Sequence, residues 1–188
     1  MSDRASPSAP SDLEQSKVKI RRERAEDHDG VREVLIEAFG QTIEAEIVEA
    51  LREGCDDLVS LVATEAERVV GHILFSPVII DTRGSRIVGM GLAPMAVRPE
   101  LQRRGVGQRL VWEGIETLKQ RRCPFVIVLG HPNYYPRFGF RPASLIGVHC
   151  QWRVPDEAFL ILVLDDARMA GVEGVARYRS EFDLSEPT

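Results

Sequence analysis

Hydrophobic residues recur along this chain with two alternating periods, and the switches between those periods divide it into elements. Val18, Lys19, Ile20 and Arg21 alternate apolar and charged, as a half-buried strand does. Val31, Val34, Leu35, Ala38 and Phe39 then share one helical face, with Asp27 or Asp29 placed to cap that helix. A second helix is predicted over 42–52, with Ile43, Ile47, Val48 and Leu51 inward and Gly54 as its stop. Strands are predicted over 58–64 and 69–80, separated by the charged turn Glu65, Ala66, Glu67 and Arg68. Pro77 puts a bend or an edge into the second of them, because proline brings no N–H to a ladder. Residues 81–85, with Gly84, read as a turn.

Arg86–Val97 is the next strand, made irregular by Gly89, Gly91 and Pro94. Such residues inside a strand mark a bulge or the close approach of another backbone. After Gly105, Val106, Leu110, Val111, Ile115 and Leu118 follow helical spacing and should pack on the sheet. Trp112 on the same helix reads as core or rim packing. Phe125–Leu129 is a buried strand, and 159–164 is another, expected to be the last of the sheet. The closing stretch 175–182 fits neither period well. Residues 1–16, rich in Ser, Pro, Ala and Asp, are expected to be a tail outside a single domain over 17–188. The periodicity itself supports an α/β or α+β domain.

Charge narrows the partners. A net charge of −5 argues against a general nucleic-acid surface. Arg98, Arg103, Arg104 and Arg109 nevertheless crowd together, and a local basic spot on an acidic protein suits one compact polyanion. For Arg98 and Arg109, a solvated helix face fits equally well. Cys55, Cys123 and Cys150 are too widely spaced for a disulfide framework or a zinc site, so no metal is expected and the thiols read as buried or incidental. The apolar runs are too short to span a bilayer, and no secretory pattern opens the chain. A soluble cytoplasmic enzyme without a membrane partner is the expectation.

The chemistry concentrates in Val97-Arg98-Pro99-Glu100-Leu101-Gln102-Arg103-Arg104-Gly105-Val106-Gly107, which joins the irregular strand to the amphipathic helix. Glycines at a helix start let an anion approach backbone N–H groups, and the helix dipole favours negative charge there. A P-loop is excluded, because Gln108 and Arg109 stand where its lysine and hydroxyl belong. A dinucleotide fingerprint is excluded by Leu110 in place of its third glycine. The remaining fit, Gln-x-x-Gly-x-Gly after a Val-x-Pro strand exit, resembles the GCN5-related N-acetyltransferase (GNAT) family. A second stretch, Gly130-His131-Pro132-Asn133-Tyr134-Tyr135-Pro136-Arg137-Phe138-Gly139-Phe140, carries the Tyr-x-x-x-Gly-Phe signature of that family from Tyr135 to Phe140. With Val70-Gly71-His72-Ile73 and the closing Val-x-Arg-Tyr segment, the whole of 18–184 resembles the YhbS-type branch.

The resemblance implies a mixed, bent central sheet flanked by helices, with two strands splayed apart to admit acyl-CoA. It implies acetyl-CoA as cosubstrate and transfer of the acetyl group to a primary amine, on a small molecule or a protein, by direct attack. Gln102, Arg103, Arg104, Gly105, Val106 and Gly107 would cradle the pyrophosphate, and Met95, Ala96 and Val97 would offer backbone groups to pantetheine. Tyr135 matches the tyrosine that points to the coenzyme sulfur and is the candidate acid for the departing thiolate; as a bland alternative it fills a helix–sheet seam. Tyr134 reads as packing or substrate lining, and Asn133 takes no role.

The base is open between His72, His131, Glu44, Glu46 and a water-relayed route, with His131 favoured by its place at a strand end. The acceptor would be set by the first two helices, their connection and residues 142–155. Many relatives are homodimers, which this sequence neither requires nor excludes. A non-catalytic module that senses acyl-CoA, or a transferase of longer acyl groups, is the competing reading.

Overall fold

The computed structural model of the chain describes residues 18–185, with backbone only at 184 and 185. The segment 1–16 expected to be a tail therefore lies outside the described residues. Nine strands form one mixed sheet in the order β1-β2-β3-β4-β5-β8-β6, with β9 joined to β3 and β7 joined to β9. β1 is Val18–Arg22, β2 Val59–Glu65, β3 Arg68–Asp81 and β4 Arg86–Val97. β5 is Phe125–Leu129, β6 Arg141–Pro142, β7 Val148–Cys150, β8 Phe159–Val163 and β9 Gly174–Arg177. The pairs are antiparallel except β4 with β5 and β7 with β9.

Helices α1, His28–Phe39, and α2, Ile43–Gly54, cover one face, where Val31, Val34, Leu35, Ile47, Val48 and Leu51 meet Val62 and Leu74. Helix α3, Val106–Gln120, covers the other with Leu110, Val111, Ile115 and Leu118 against Leu61, Phe75 and Val126. Each such side chain contributes roughly 1.5–3 kcal/mol relative to exposure. Alternation along β2 places Val59, Leu61 and Ala63 under α3 and Val62 under α1 and α2. Close packing of α3 is set by Gly114, whose added Cβ would overlap the Phe75 ring. A short helix α4, Asp166–Met169, completes the C-terminal third.

Two expectations need correction. The strand at 159–163 is not the last of the sheet, because 174–177 forms β9 along the far end of β3. Its short run pairs at only three positions of β3, too few for a clear period-two signal. Asp27 occupies the cap position of α1 but its carboxylate does not cap that helix. It takes two bonds from Arg21, at 2.6 and 2.8 Å, and one from the Arg24 N–H at 2.8 Å. Gly54 is the last residue of α2, as expected, and Cys55 after it is extended. Pro77 does mark an edge: β2 ends its pairing with β3 at Phe75 and β9 begins at Ile79, so the proline falls in the gap.

Candidate active site

The site begins with a failure of pairing. Along its β3 side, β4 is laddered from Arg86 opposite Asp81 to Val97 opposite Gly71. Along its β5 side it pairs only at Met90 with Val126 and Gly91 with Ile127. Beyond Gly91 the two parallel strands separate. The β3 ladder also slips here, so that Ala93 and Pro94 together stand opposite Leu74, the kind of bulge that re-aims a strand. Gly91 is needed at the fork: a Cβ would come 2.7 Å from Val78 and 2.8 Å from the Tyr178 ring.

A cavity of about 760 Å³ opens at this fork. One wall comes from the separating strands, with Leu92, Met95, Gly130, His131, Tyr134 and Tyr135. Phe39, Glu44, Ile47, Trp152, Tyr178 and Phe182 complete the lining, and the Tyr178 ring packs on β4 at Gly91. Phe39, Glu44, Ile47 and Trp152 lie in the regions singled out from the sequence for an acceptor. Tyr178 and Phe182 were missed, because the segment after β9 had no readable period; its aromatic content was the one available signal.

The chain leaves β4 through Arg98, bends in a 3-10 turn at Pro99–Leu101, and enters α3 through Gly105. Arg103 and Gly105 both have left-handed backbones, with φ of 61° and 84°. A non-glycine residue in that region is strained, and such strain gathers at binding loops. The first bond of α3 runs from the Arg109 N–H to the Gly105 carbonyl. The N–H groups of Val106 and Gly107 therefore precede the helical ladder, as at any helix start. Nothing lies within 4 Å of where a Gly105 Cβ would sit. Such an open helix start has the dipole and the unladdered N–H groups that favour an anion.

Gln102 does not face that space with its amide, which donates instead to the Val97 carbonyl at 3.0 Å and ties the loop to the strand exit. The arginine cluster also divides. Arg98 is 1% exposed, donating to the Val69 carbonyl at 2.9 Å and pairing with Glu33 at 2.8 Å and with Glu37. Burial disfavours its charge, but those two carboxylates more than restore it. Arg109 donates to the Val18 carbonyl at 2.9 Å. Both serve the fold, so the local basic spot reduces to exposed Arg103 and Arg104.

Tyr134 connects the loop to the cavity. A Cβ on Gly107 would meet its hydroxyl at 3.0 Å, and its ring meets Tyr135 edge-on at 5.1 Å. The Tyr135 ring lies directly on Gly130, where a Cβ would overlap it, and edge-on to Phe140 at 5.6 Å. Gly130 is thus a site-shaping residue that sequence reading passed over, although it stands at the strand exit. Burial pushes the Tyr135 phenol well above its ordinary value, so it stays protonated. Trp112 is 47% exposed and edges onto Phe138 at the rim.

The base candidates separate sharply. His72 is fully buried, with Nε2 2.8 Å from the Ser60 hydroxyl, and it does not line the cavity. Glu46 accepts from Thr42 at 2.7 Å on the exposed side of α2. His131 and Glu44 both line the cavity. Asn133 lines it as well. Met95 is the member of the trio 95–97 that lines it; Ala96 and Val97 are buried beside it in β4. Among the described residues, no group of three His, Cys, Asp or Glu is placed to hold a metal, and no helix is long and apolar enough to cross a membrane.

The acetyltransferase (GNAT) domain family matches residues 19–143. The protein of Escherichia coli K12 described as uncharacterized N-acetyltransferase YhbS is 35% identical over 158 residues, which cover 84% of this chain and 93% of that one. Uncharacterized N-acetyltransferase YjhQ of the same strain is 41% identical over 134 residues, 70% of this chain and 74% of that one. Among solved structures, Escherichia coli YhbS in complex with CoA superposes with a TM-score of 0.81 at 33% identity, covering 96% of each chain. A GNAT acetyltransferase from Brucella melitensis in complex with acetyl-CoA gives 0.72 at 34% identity, covering 88% of this chain and 98% of that one.

Proposed function

The chain belongs to the GNAT acetyltransferases, and on that premise we propose that it moves an acetyl group from acetyl-CoA to a primary amine by direct attack. The observation that carries this is the fork between β4 and β5, with an anion-ready helix start at one end and a buried tyrosine at the other. The CoA and acetyl-CoA complexes of the two related structures support the same donor here.

In this reading the backbone N–H groups of Arg103, Arg104, Gly105, Val106 and Gly107 receive the pyrophosphate. Gln102 keeps the loop in register with the strand end rather than touching the ligand. Backbone groups on the open edge at Met95, Ala96 and Val97 receive the pantetheine amides. The thioester supplies an acyl group activated for transfer. The acceptor ammonium first gives one proton to water; transfer then joins its nitrogen to the acetyl carbon, breaks the C–S bond and moves a second proton from nitrogen to sulfur. An N–H on the open edge polarises the carbonyl; one such donor contributes about 2.7–4 kcal/mol to a transition state. Tyr135, held protonated by burial, hydrogen-bonds the sulfur as its charge develops. His131 relays the amine proton through water, from a place beside Gly130 at the cavity wall. Three free thiols suit a reducing compartment such as the cytoplasm.

Calorimetric titration with acetyl-CoA tests the donor site. Wild type should bind saturably, and Gly105→Glu, which sets a carboxylate and a strained side chain at the loop, should weaken binding by at least about 100-fold. No wild-type binding would overturn the reading. Release of CoA only when an amine is added would separate transfer from mere sensing of acyl-CoA.

A further inference from the structure

The acetyltransferase reading leaves the acceptor open, and resting on that reading, we propose that the acceptor is a primary amine on an apolar or aromatic body, with one positive charge and no carboxylate or phosphate. The aromatic part of the cavity lining, packed on β4 at Gly91 through Tyr178, makes one wall. Trp152 and Tyr178 stack there at 5.0 Å and 28°, and Phe182 meets Tyr178 edge-on at 5.5 Å. Phe39, at the end of α1, adds another ring to this wall. The lining here is mostly apolar, with the buried Tyr178 hydroxyl as its unpartnered polar atom, and it offers fewer polar partners than a polyhydroxylated substrate such as a sugar amine needs.

Its charge is equally selective. Glu44 is the one carboxylate among the described lining residues, and the Gln41 amide holds it at 3.0 and 3.2 Å. No lysine or arginine lines the cavity among those residues, and the one histidine, His131, follows the end of β5. Arg137, further along the chain, is turned onto the Tyr134 ring and donates to the carbonyls of Tyr134 and Asn133. An acceptor carboxylate would thus be buried against aromatic faces and a like charge without a counter-ion, which is costly. A single ammonium gains both Glu44 and the aromatic faces on approach. A second ammonium would find no second carboxylate.

CoA release from wild-type protein and acetyl-CoA, with phenethylamine, L-phenylalanine and spermidine as acceptors, decides the matter. Phenethylamine and phenylalanine differ only by the carboxylate, and the expected preference in kcat/KM for phenethylamine is about 100-fold. Spermidine should also be the poorer acceptor. Glu44→Gln should raise KM for phenethylamine by about 10-fold while the Kd for acetyl-CoA stays unchanged. Equal or better use of phenylalanine or spermidine would overturn the proposal. So would acetyl-CoA binding with none of the three acetylated, or an unmoved KM in Glu44→Gln. Failure to bind acetyl-CoA would instead strike the acetyltransferase reading beneath it.

Discussion

The two edges of β4 have opposite fates. On the β3 side, a ladder runs almost the length of the strand and continues into Arg98, whose N–H bonds the Val70 carbonyl at 2.9 Å. On the β5 side, pairing stops after Met90 and Gly91. The closed edge gathers two buried charges with their partners: Arg98 with the exposed carboxylates of Glu33 and Glu37, and nearby Glu23 with Arg52, Ser60 and His72. The open edge faces a cavity and leaves backbone groups to be satisfied from outside the sheet, by water or a ligand. Charged side chains therefore make the scaffold here, whereas backbone and aromatic surface make the site. The difference warns against reading function from the density of arginines alone.

Stripping the closed edge of its acids should produce the largest change. Glu33→Gln with Glu37→Gln leaves the Arg98 guanidinium, 1% exposed, without a counter-charge. Both carboxylates are themselves exposed, at 65% and 42%, so the loss belongs at the low end for a broken buried pair, about 3 kcal/mol by chemical denaturation. Acetyl-CoA affinity of the folded fraction should not move. A loss of affinity in proportion to stability would mean that the two edges are not independent.

On the open edge, Tyr135→Phe should lower kcat by about 100-fold and leave the acetyl-CoA Kd and the melting temperature nearly unchanged. The phenol is held protonated by burial, so this loss should be flat across the neutral pH range rather than following a titration. A kcat that survives the substitution would reduce Tyr135 to the seam-filling role.

Acid should reach the closed edge first. Burial would raise the Glu23 carboxyl, but hydrogen bonding from the His72 ring and the Ser60 hydroxyl and the charge of Arg52 outweigh it and hold the group at about 2, against 4.5 ordinarily. Its stabilisation is present above pH 4.5 and is lost as pH falls towards 2. Burial lowers His72 from 6.5, despite the pull of Glu23, so its neutral form is the folded one. That contribution is complete above pH 6.5 and declines as pH falls below it. Stability measured from pH 7 downward should therefore fall in two stages, and Glu23→Gln should remove the lower one.

Much of this architecture was legible, and the reasons are local. Gly89, Gly91 and Pro94 announced an irregular β4, and the loop after it announced a helix start that accepts an anion. Those signals depend on residues adjacent in the chain. The fate of Arg98 was not legible, since it depends on acids at 33 and 37, more than sixty positions away on another element. Tyr178 and Phe182 reach the cavity only because β9 runs along β3, and a strand of four residues carries too little alternation to declare itself. His72 looked usable as a base until its burial beneath Ser60 was visible.

The smallest effect is expected from the arginines that first drew notice. Arg103→Ala with Arg104→Ala removes two exposed charges from the donor loop but leaves its N–H groups in place. Exposed charges acting on a solvated phosphate are screened, so acetyl-CoA affinity should fall by about fivefold or less at moderate salt. The deficit should shrink further as salt rises, because wild type then loses the same attraction. Substituting Arg103 also moves a non-glycine residue at φ 61°, and an Arg103→Gly variant, which relieves that strain, separates charge from backbone geometry. If either arginine carried a loss as large as Gly105→Glu, the phosphate would be held by side chains, and the contrast between a charged scaffold and a backbone-built site would fail.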